Sequence, residues 1–446
     1  MKTYREYKDS GESGIEQIPK HWILEKIKFV ATCNDEVLSD STADDEIINY
    51  VEIGDVDYVN GITNTTEYEF KEAPSRARRI TRPNDIIIST VRTYLKAIAK
   101  ITEPDLIVST GFAVIRPRRI DKTFMSYALL APAFIEEVMS RSFGVSYPAI
   151  KASSLMNIKI CVPPTSEQQA IASFLDAKTK PIDDIIAKRE KQIELLEEMK
   201  SSIISRAVTK GLNPEAKMKD SGIEWIKTEP QSWETRRIKN VITLLTDYDA
   251  NGSFADIAKN VKVNVGEPYA WMVRATDLAN KRYGIVDDNN YCNKETYDFL
   301  SKSSLEAGDI LIAKRGDIGK SYEVPKCDCP MTLAPNTYLL KTNKKVISNR
   351  FFHYFFMSDY GKRQLSINNK STTIGAIYKD DVKNLKILLP PMNEQQAIAS
   401  YLDSETSKID TRIAKRRKQI ELLQEYKQAL ITAAVTGKID VREYIS

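Results

Sequence analysis

The sequence predicts an α+β fold in which two mixed α/β domains are separated by two long helices that form an antiparallel coiled coil. Sequence strings that occur twice indicate an internal duplication, and the predicted arrangement therefore has pseudo-two-fold symmetry. EQQAIASFLD at residues 167–176 returns at 394–403 as EQQAIASYLD, and KREKQIELLEEMK at 188–200 returns at 415–427 as KRRKQIELLQEYK. Both pairs of blocks have helical character, whereas the segments before them have diverged. We therefore expect two equal docking surfaces joined to two unequal binding surfaces.

Composition sets the broad class of the protein. With 446 residues, 42% of them apolar, the chain is long enough for roughly three domains of about 150 residues. Its five cysteines form no regular framework and its first residues lack the apolar stretch of a signal peptide, which predicts a cytoplasmic location. No apolar run approaches the roughly 18 residues that cross a bilayer, so no membrane partner is expected. The net charge of +4 is too small to identify a partner.

The repeats also give the boundaries of four predicted segments. The first domain covers residues 1–165, a helical region 166–211, the second domain 212–392 and a C-terminal helical region 393–446. An apolar run after a turn signal predicts a buried strand in both domains, NDIII at 84–88 and GDILI at 308–312. A second strand, NIKICVPP at 157–164 and NLKILLPP at 384–391, ends in two prolines. A capping-box spacing follows each proline pair, Ser166 to Gln169 and Asn393 to Gln396.

The predicted long helices carry an apolar stripe with spacings of three, four and seven residues. It consists of Ile182, Ile186, Ile193, Leu196 and Ile203 in the first helix and Ile409, Ile413, Ile420, Leu423 and Leu430 in the second. Pro181 predicts a break before the stripe. If the second helix returns antiparallel, residues 182–208 form a spacer of about 40 Å, close to one turn of B-DNA at about 34–36 Å. A single surface helix packed on its own domain would show a similar stripe.

Residue types that support catalysis or metal binding are scarce. Only His21 and His353 occur, Cys327 and Cys329 have no second pair at zinc-finger spacing, and no G-x-G-x-x-G is present. The string KRGDIGKS at 314–321 imitates a phosphate-binding loop but has Lys314 where that motif requires glycine. The sequence therefore predicts no catalytic residue, no metal and no cofactor bound by this chain.

Basic loops after buried strands are the candidate DNA contacts, although a solvated basic face would look the same. The loop 314–321 has its counterpart in TVRTYLK at 90–96, and glycine-containing loops at 143–148 and 369–375 precede the closing strands. Long cationic side chains there can contact phosphates or pair with guanine. The predicted contacts are Arg76, Arg78, Arg92, Tyr94 and Lys96 in the first domain, and Arg274, Lys281, Arg282, Lys314, Arg315, Lys320 and Thr372 in the second.

Over nearly its whole length the chain resembles the specificity subunit of a Type I restriction-modification system. The resemblance is carried by KDSGIEW at 219–225, by EQQAIA after two prolines and by KQIELL, the last two in duplicate. It implies two target recognition domains that each read half of a split sequence in double-stranded DNA, and helices that dock two methyltransferase subunits. Those partners use S-adenosylmethionine, and restriction subunits that translocate DNA with ATP and Mg²⁺ join the same assembly. IKTEP at 226–230 departs from the usual family pattern at the start of the second domain.

The resemblance also implies where partner subunits dock. The expected contacts are Gln168, Gln169, Gln192 and Leu196, with Gln395, Gln396, Gln419 and Leu423 as their equivalents. Because recognition domains of this family diverge widely, the DNA contacts above rest only on charge and loop position. Two rival classes stay open, a coiled-coil protein scaffold without DNA readout of its own and an enzyme with its own nuclease or methyltransferase activity. The missing motifs argue against the enzyme.

Overall fold

The computed structural model describes residues 2–12, 14–286, 289–315, 319–367 and 377–444. The chain divides into two compact units, Met1–Glu190 with Arg416–Ser446, and Lys191–Lys415. Each long helix therefore contributes residues to both units. This division differs in kind from the four predicted chain segments, which stay a prediction.

The first unit consists of short strands and short helices that precede the first long helix. Its strands are β1 (Tyr7–Glu12), β2 (Ile15–Pro19), β3 (Ile23–Lys26), β4 (Ala31–Cys33), β5 (Ile47–Val51), β6 (Val56–Asp57), β7 (Gly61–Ile62), β8 (Thr66–Glu69), β9 (Ala77–Ile80), β10 (Ile86–Ser89), β11 (Ile98–Lys100), β12 (Leu106–Ser109), β13 (Phe112–Pro117) and β14 (Lys159–Val162). Its helices are α1 (Ile27–Val30), α2 (Lys122–Leu130), α3 (Pro132–Ser140) and α4 (Ala152–Leu155), with 3₁₀ turns at Ile53–Asp55, Phe70–Glu72, Thr93–Leu95 and Arg442–Tyr444.

Two four-stranded sheets lie at the centre of the first unit. One has the order β11-β10-β13-β4, and the other has the order β8-β5-β12-β9, in which β12 runs parallel to β5. Every residue of β10 is buried. Ile86 and Ile88 belong to the cluster that contains Met125 of α2, while Ile87 belongs to the cluster that contains Val108 of β12. A strand covered on both faces reads as a continuous apolar run, which is why the sequence predicted it.

The first long helix, α5 (Thr165–Lys210), leads into the second unit. The strands that follow are β15 (Met218–Asp220), β16 (Thr228–Pro230), β17 (Glu234–Arg237), β18 (Ile242–Asp247), β19 (Ala270–Val273), β20 (Tyr291–Cys292), β21 (Ser304–Leu305), β22 (Ile310–Ala313), β23 (Ser321–Glu323), β24 (Met331–Leu333), β25 (Thr337–Thr342) and β26 (Lys386–Leu389). The helices are α6 (Phe254–Asn260), α7 (Ala275–Ala279), α8 (Lys294–Phe299), α9 (Asn349–Met357), α10 (Asp359–Ile367), α11 (Lys379–Asn384) and the second long helix α12 (Met392–Val435), with 3₁₀ turns at Ile238–Asn240, Tyr248–Asn251 and Ser301–Ser303.

The second unit repeats the strand order of the first. Its two four-stranded sheets have the orders β18-β25-β22-β23 and β20-β19-β24-β21, and β24 runs parallel to β19 as β12 does to β5. The predicted strand pair NDIII and GDILI corresponds to β10 and β22, and the pair that ends in two prolines corresponds to β14 and β26. These strand predictions are confirmed, and the mixed α/β duplication extends through the segments whose sequences have diverged.

Both long helices are continuous over their whole length. Pro181 lies inside α5, so the predicted break is wrong. An interior proline loses one helix hydrogen bond and costs about 3 kcal/mol. Ile182 and Ile186, which follow it directly, are buried, and this packing offsets the cost. Each helix starts one residue earlier than its predicted helical region, at Thr165 and Met392.

In the first unit, the first half of α5 packs against the last part of α12. Ile171 and Leu175 share a buried cluster with Leu430 and Ala434. Further along α5, Asp183 Oδ1 lies 2.6 Å from Lys427 Nζ. Residues later in α5 therefore contact residues earlier in α12.

In the second unit, the same relationship holds for the other halves of the helices. Lys200 Nζ of α5 lies 2.7 Å from Asp410 Oδ1 of α12. Later in α5, Ile204 and Val208 share a buried cluster with Ile398 and Leu402 of α12 and with the apolar residues of the second unit. The two helices therefore pack on each other and on the core of the unit.

Candidate nucleic-acid interface

Two loops of the first unit, residues 90–96 and 143–148, lie side by side. Ile150 N donates to Thr90 O at 2.8 Å and Thr93 N donates to Pro148 O at 3.3 Å. Phe143 and Ala149 exchange two backbone hydrogen bonds of 2.9 Å, which close the second loop as a hairpin. The structure thus brings together two candidate loops that are far apart in the sequence.

The surface of these two loops combines cations with exposed aromatic side chains. The Arg92 guanidinium lies 5.0 Å from the centre of the Tyr147 ring. Phe143 is 79% exposed, and Tyr94 and Lys96 are also exposed. Within the described residues, neither Arg92 nor Lys96 has an ion-pair partner. Cations can meet phosphates and aromatic rings can stack on bases, so this surface has the chemistry of nucleic-acid binding.

Arg76 lies at the same edge of the first unit as the loop 90–96. Its carbonyl accepts a hydrogen bond from Thr110 N at 2.8 Å. The residue after Thr110, Gly111, accepts a hydrogen bond from Thr90 N at 2.8 Å through its own carbonyl. The Arg76 side chain is exposed. Four predicted contacts, Arg76, Arg92, Tyr94 and Lys96, therefore belong to one region of the unit.

Arg78, by contrast, is engaged within the first unit. Its guanidinium lies 4.7 Å from the centre of the Phe70 ring, and Nη2 lies 3.6 Å from Asp40 Oδ1. A second arginine close to it in the sequence, Arg82, pairs with Glu36 at 2.5 Å. The charges of these two arginines are thus used within the fold, which favours the alternative of a structural basic face for this part of the chain.

In the second unit, Lys314 is held by carboxylates. Its Nζ lies 2.8 Å from Asp249 Oδ2 and 3.2 Å from Asp247 Oδ2, while Lys379 Nζ lies 2.8 Å from Asp247 Oδ1. Burial opposes ionisation of Asp247, but hydrogen bonds from Lys379 and Lys314 hold its pKa below the usual range. Burial also opposes the charge of Lys314, and its two aspartate partners nevertheless raise its pKa. This geometry favours a structural role for Lys314 over the predicted DNA contact.

Three other predicted contacts of the second unit surround the short helix α7. Arg274 precedes the helix, and its backbone N and its Nε donate to the Asp277 carboxylate at 3.0 and 2.8 Å. Lys281 follows the helix, is exposed and has a left-handed backbone conformation with φ of 54°. Arg282 N donates to Asp277 O at 2.9 Å, and its side chain is exposed. The fold thus groups these three residues.

The remaining predicted contacts flank or fall in parts of the chain that the structure does not describe. Arg315 and Lys320 are exposed on either side of residues 316–318. Thr372 and the loop 369–375 lie outside the described residues. Beyond that loop, Ile377 N donates to Lys314 O at 3.2 Å, which is the equivalent of the bond between Ile150 and Thr90 in the first unit.

Sequence reasoning included Arg274 among the predicted contacts but missed its repeat equivalent, Glu52. They follow the equivalent strands β5 and β19, and each backbone N donates to a carboxylate three residues later, that of Asp55 or Asp277, at 3.0 Å. The signal, a buried strand followed by V-x-x-x-D, was present in both halves. The same position therefore holds residues of opposite charge in the two units, although Arg274 Nη2 is paired with Asp277 Oδ1 at 2.6 Å.

Two of the predicted docking residues, Gln168 and Gln395, are buried hydrogen-bonding groups. Gln168 accepts from Asp121 N at 2.7 Å and donates to Pro163 O at 2.8 Å. Gln395 accepts from Ser348 N at 2.8 Å and donates to Pro390 O at 2.9 Å. Both amides attach the start of a long helix to its own unit, and the structure supports this anchoring role rather than contact with a partner.

The other predicted docking residues have accessible surface. Gln169, Gln396 and Gln192 are exposed, whereas Gln419, Leu196 and Leu423 are half-buried. Sequence reasoning missed four large apolar residues at equivalent positions in the repeated blocks. They are Leu195 (51% exposed), Met199 (41%), Leu422 (51%) and Tyr426 (54%). Leu195 and Met199 are one helical turn apart on α5, as Leu422 and Tyr426 are on α12, so each pair forms a continuous apolar surface.

The described residues offer no site for a metal ion and no membrane-spanning helix. No group of three or more His, Cys, Asp or Glu side chains among them is placed to hold a metal ion. Cys327 Sγ and Cys329 Sγ lie 2.8 Å apart, as an isolated pair. No helix in the described part of the chain is both long and apolar enough to cross a bilayer. The expectations of no bound cofactor and of a cytoplasmic location stay predictions.

Comparison with known proteins gives one consistent family. The model of the family described as "Type I restriction modification DNA specificity domain" matches residues 29–195 and again 230–422. The MjaVIII specificity subunit of Methanocaldococcus jannaschii is 28% identical over 72% of this chain and 71% of its own length. The MjaIX specificity subunit of the same organism is 24% identical over 99% of both chains. The EcoKI specificity subunit of Escherichia coli is 23% identical over 95% of this chain and 90% of its own.

A solved structure has the same fold. It comes from work on complex assembly and conformational transition of the type I R-M system, and it superposes with a TM-score of 0.66 at 21% identity, over 95% of this chain and 99% of the other. The two tandem matches of the family model cover more than half of the chain and include most of each long helix together with the four-stranded sheets of both units. The chain belongs to the family of Type I restriction-modification DNA specificity subunits.

Proposed function

We propose that this chain reads a bipartite site in double-stranded DNA through two recognition domains, one in each unit, and docks methyltransferase subunits on its long helices. The observation that carries the proposal is the combination of one sheet order built twice with binding loops that differ. A common scaffold with different loops is what two unequal half-sites require. The chain itself contributes specificity and no catalysis.

The exposed loops of the first unit support DNA as the ligand. Arg92 and Lys96 lie beside aromatic side chains and Arg76 is near them, without an acidic partner for any of the three among the described residues. Each phosphate contact makes the slope of log binding constant against log salt concentration, the salt slope, more negative by nearly one unit. We therefore expect affinity for DNA to fall steeply with salt, and base contacts in the major groove to supply the sequence preference.

The long helices are proposed to form an antiparallel coiled coil that sets the distance between the two half-sites, with an approximate two-fold axis between the halves. The contacts of later residues of α5 with earlier residues of α12 in each unit support it. Four residues inserted into both helices, after Glu190 and after Lys415, would add about 6 Å and slightly more than one full turn. The gap between half-sites should then lengthen by about two base pairs. If the DNA site recognised by the variant keeps its original gap, the long helices do not set the distance between the half-sites.

The apolar pairs on the helices are the proposed docking surfaces for two methyltransferase subunits. Leu195 with Met199, and Leu422 with Tyr426, lie at equivalent positions and are exposed in both copies. Replacing either pair with glutamate should remove one methyltransferase subunit, because burying a large apolar side chain contributes about 2 kcal/mol. Native mass spectrometry of the co-expressed complex would count the subunits. Ile47→Glu, at a residue that is 54% exposed on β5, is the matched control and should leave both bound.

The partners carry the chemistry in this proposal. Methyltransferase subunits use S-adenosylmethionine, and restriction subunits use ATP and Mg²⁺ to translocate DNA, while this chain binds none of these. The scarcity of histidine and the absence of a metal-binding cluster from the described residues are consistent with that division. The purified chain alone should neither cleave nor methylate DNA in the presence of Mg²⁺ and S-adenosylmethionine. Either activity would require a different class of protein.

The decisive test of the proposal is to map methylated adenines in cells that express this chain together with its methyltransferase subunit. We expect a split motif with a fixed unspecified gap, which disappears when this chain is deleted. Contiguous methylation, or methylation that survives the deletion, would contradict DNA readout by this chain. The second candidate, a scaffold that binds only proteins, would be favoured if the assembled complex failed to bind any DNA.

A further inference from the structure

We propose that the hairpin tip at residues 143–147 is a wedge that enters the DNA and unstacks a base step in or next to the first half-site. This inference rests on the proposed function, because it assumes that the first unit binds DNA. It goes beyond that function by giving the tip a mechanical role and by dividing the surrounding loops into residues that insert and residues that hold phosphates.

The tip exposes apolar side chains to an unusual degree. Val145 at its apex is 102% exposed, and Phe143 and Tyr147 on either side are 79% and 66% exposed. Leu95 of the adjoining loop is 45% exposed. No described residue of the first unit covers Val145. Several large apolar side chains exposed together at one loop tip are a feature of binding sites on folded proteins.

The hairpin is rigid at its base although its tip is uncovered. The Ser142 hydroxyl, which accepts from the Thr93 hydroxyl at 2.8 Å, itself donates to Val138 O at 2.8 Å in α3. Gly144 has a φ of 110°, and a Cβ at this position would lie 3.1 Å from Tyr147 O, so only glycine forms this turn without strain. A preorganised tip loses little conformational entropy on insertion.

Charge selects DNA over an apolar protein surface as the occupant. Residues 90–96 and 141–151, which form the two loops and their ends, contain no aspartate or glutamate. Arg92 and Lys96 flank the 3₁₀ turn and have left-handed backbones, with φ of 51° and 53°. Glycine or asparagine would adopt that conformation at lower cost, so the chain keeps cations where backbone geometry alone would not favour them.

The arrangement matches the way proteins deform a duplex. Apolar side chains such as phenylalanine enter between base pairs and partly unstack them, while neighbouring cations neutralise the phosphates of the bent backbone. Here Phe143 and Val145 would insert. Arg92, whose guanidinium is positioned over the Tyr147 ring, and Lys96 would hold the flanking phosphates.

The test uses the full chain assembled with its methyltransferase subunit and a duplex that carries the mapped site. 2-Aminopurine replaces one base at a time across the first half-site and its flanks, and its fluorescence reports unstacking. We expect one enhanced position that is distinct from the methylated adenine, because the methyltransferase flips that base by itself. The combined change Phe143→Ala and Val145→Ser should abolish this enhancement and weaken binding roughly tenfold or more, with the salt slope unchanged.

Two variants make the result specific to the tip. Phe29→Ala removes an aromatic ring on α1 that is 57% exposed and should change neither fluorescence nor affinity. Arg92→Gln should lower the magnitude of the salt slope by about one. Because all these side chains are exposed, thermal melting should show every variant folded.

Other outcomes separate this inference from the proposed function. If the wild-type complex binds its site but shows no enhancement apart from the methylated adenine, the wedge is overturned and DNA readout stands. If the tip variant loses the methyltransferase subunit while staying folded, the tip is a protein contact and the wedge is again overturned. Failure of the wild-type complex to bind any duplex would overturn the proposed function first, and the wedge with it.

Discussion

Glu167 and its repeat equivalent Glu394 should contribute very unequally to stability, although they occupy the same position in identical strings. Glu167 is buried at the start of α5, where Oε2 accepts hydrogen bonds from Tyr4 Oη and Trp22 Nε1, both at 3.0 Å. His21 Nε2 lies 2.7 Å from Oε1. Burial, together with the charge of Glu167, raises the pKa of Tyr4 far above its ordinary value, so its hydroxyl stays a donor.

Among the described residues of the second unit, no such network surrounds Glu394. Trp233, the repeat equivalent of Trp22, has a buried indole N–H with no hydrogen-bond partner among the described residues. Ser232 stands where the first unit has His21. Glu394 is therefore a control that the chain itself supplies, with the same residue type in the same sequence context.

The structure gives the size of the expected difference. Glu167→Ala leaves a buried hydroxyl and a buried indole N–H without their acceptor, at about 1–3 kcal/mol each, while removing the desolvation cost of the carboxylate. We expect a net loss of about 3 kcal/mol in the first unit, and about half of that for Glu167→Gln, which keeps an acceptor oxygen. Glu394→Ala should cost less than about 1 kcal/mol because it orphans no donor.

Hydrogen exchange followed by mass spectrometry would measure both changes in one molecule. Because exchange reports local opening, the peptide that covers residues 165–176 serves for one variant and the peptide that covers 392–403 for the other. Equal losses of protection in the two peptides would refute the reasoning. So would a loss below about 1 kcal/mol for Glu167→Ala, since the buried donors would then have found other acceptors.

Three further predictions concern single residues. Burial holds the pKa of His353 at about 4, so the unfolded chain alone binds a proton between about pH 6.5 and 4. Acidification through that window should lower the free energy of unfolding of the second unit by about 2 kcal/mol, a figure reduced for the partial exposure of the side chain. Denaturant titrations at several pH values would measure this loss, and His353→Phe should remove the dependence on pH. Pro181→Ala restores a helix donor and should stabilise the first unit by about 2 kcal/mol on thermal unfolding, because the helix cost of about 3 kcal/mol is reduced by about 1 kcal/mol for the freer unfolded chain. Destabilisation would show instead that Pro181 itself contributes to the packing of α5. Lys314→Met should lower the free energy of unfolding of the second unit by about 2 kcal/mol and not more, because Asp247 keeps its ion pair with Lys379. If the variant instead shows a weaker salt dependence of DNA binding, Lys314 contacts a phosphate.

The sequence predicted those parts of the fold that depend on local pattern. A strand such as β10, buried on both faces, is an apolar run in the sequence, and helix starts after two prolines are nearly as plain. Pro181 was misjudged because its cost is a local property, whereas the packing of Ile182 and Ile186 that offsets it is tertiary. Local rules correctly predict that such a proline destabilises a helix, but they do not show whether tertiary packing outweighs that cost.

The candidate site was less predictable because its residues meet only in the folded unit. Nothing in the spacing of Arg92 and Tyr147 indicates that one lies over the other. Lys314 is a cation after a strand, and only the fold shows that Asp247 and Asp249 surround it. The burial of Gln168, however, was readable, since it shares the helical face of Ile171 and Leu175 at spacings of three and seven residues.

Comparing the two copies within one chain separates the causes of sequence identity. Ile171 and its equivalent Ile398 are identical and buried in both units, so packing alone accounts for them. Leu195 and Leu422 are also identical but each is 51% exposed, and no contact within either described unit explains an apolar residue there. An apolar residue that is identical and exposed in both copies fits the proposal above that one kind of partner docks on both helices. The exposed Glu52 and the half-buried Arg274 occupy one position with opposite charge, which fits the proposal above that the two halves bind unequal half-sites.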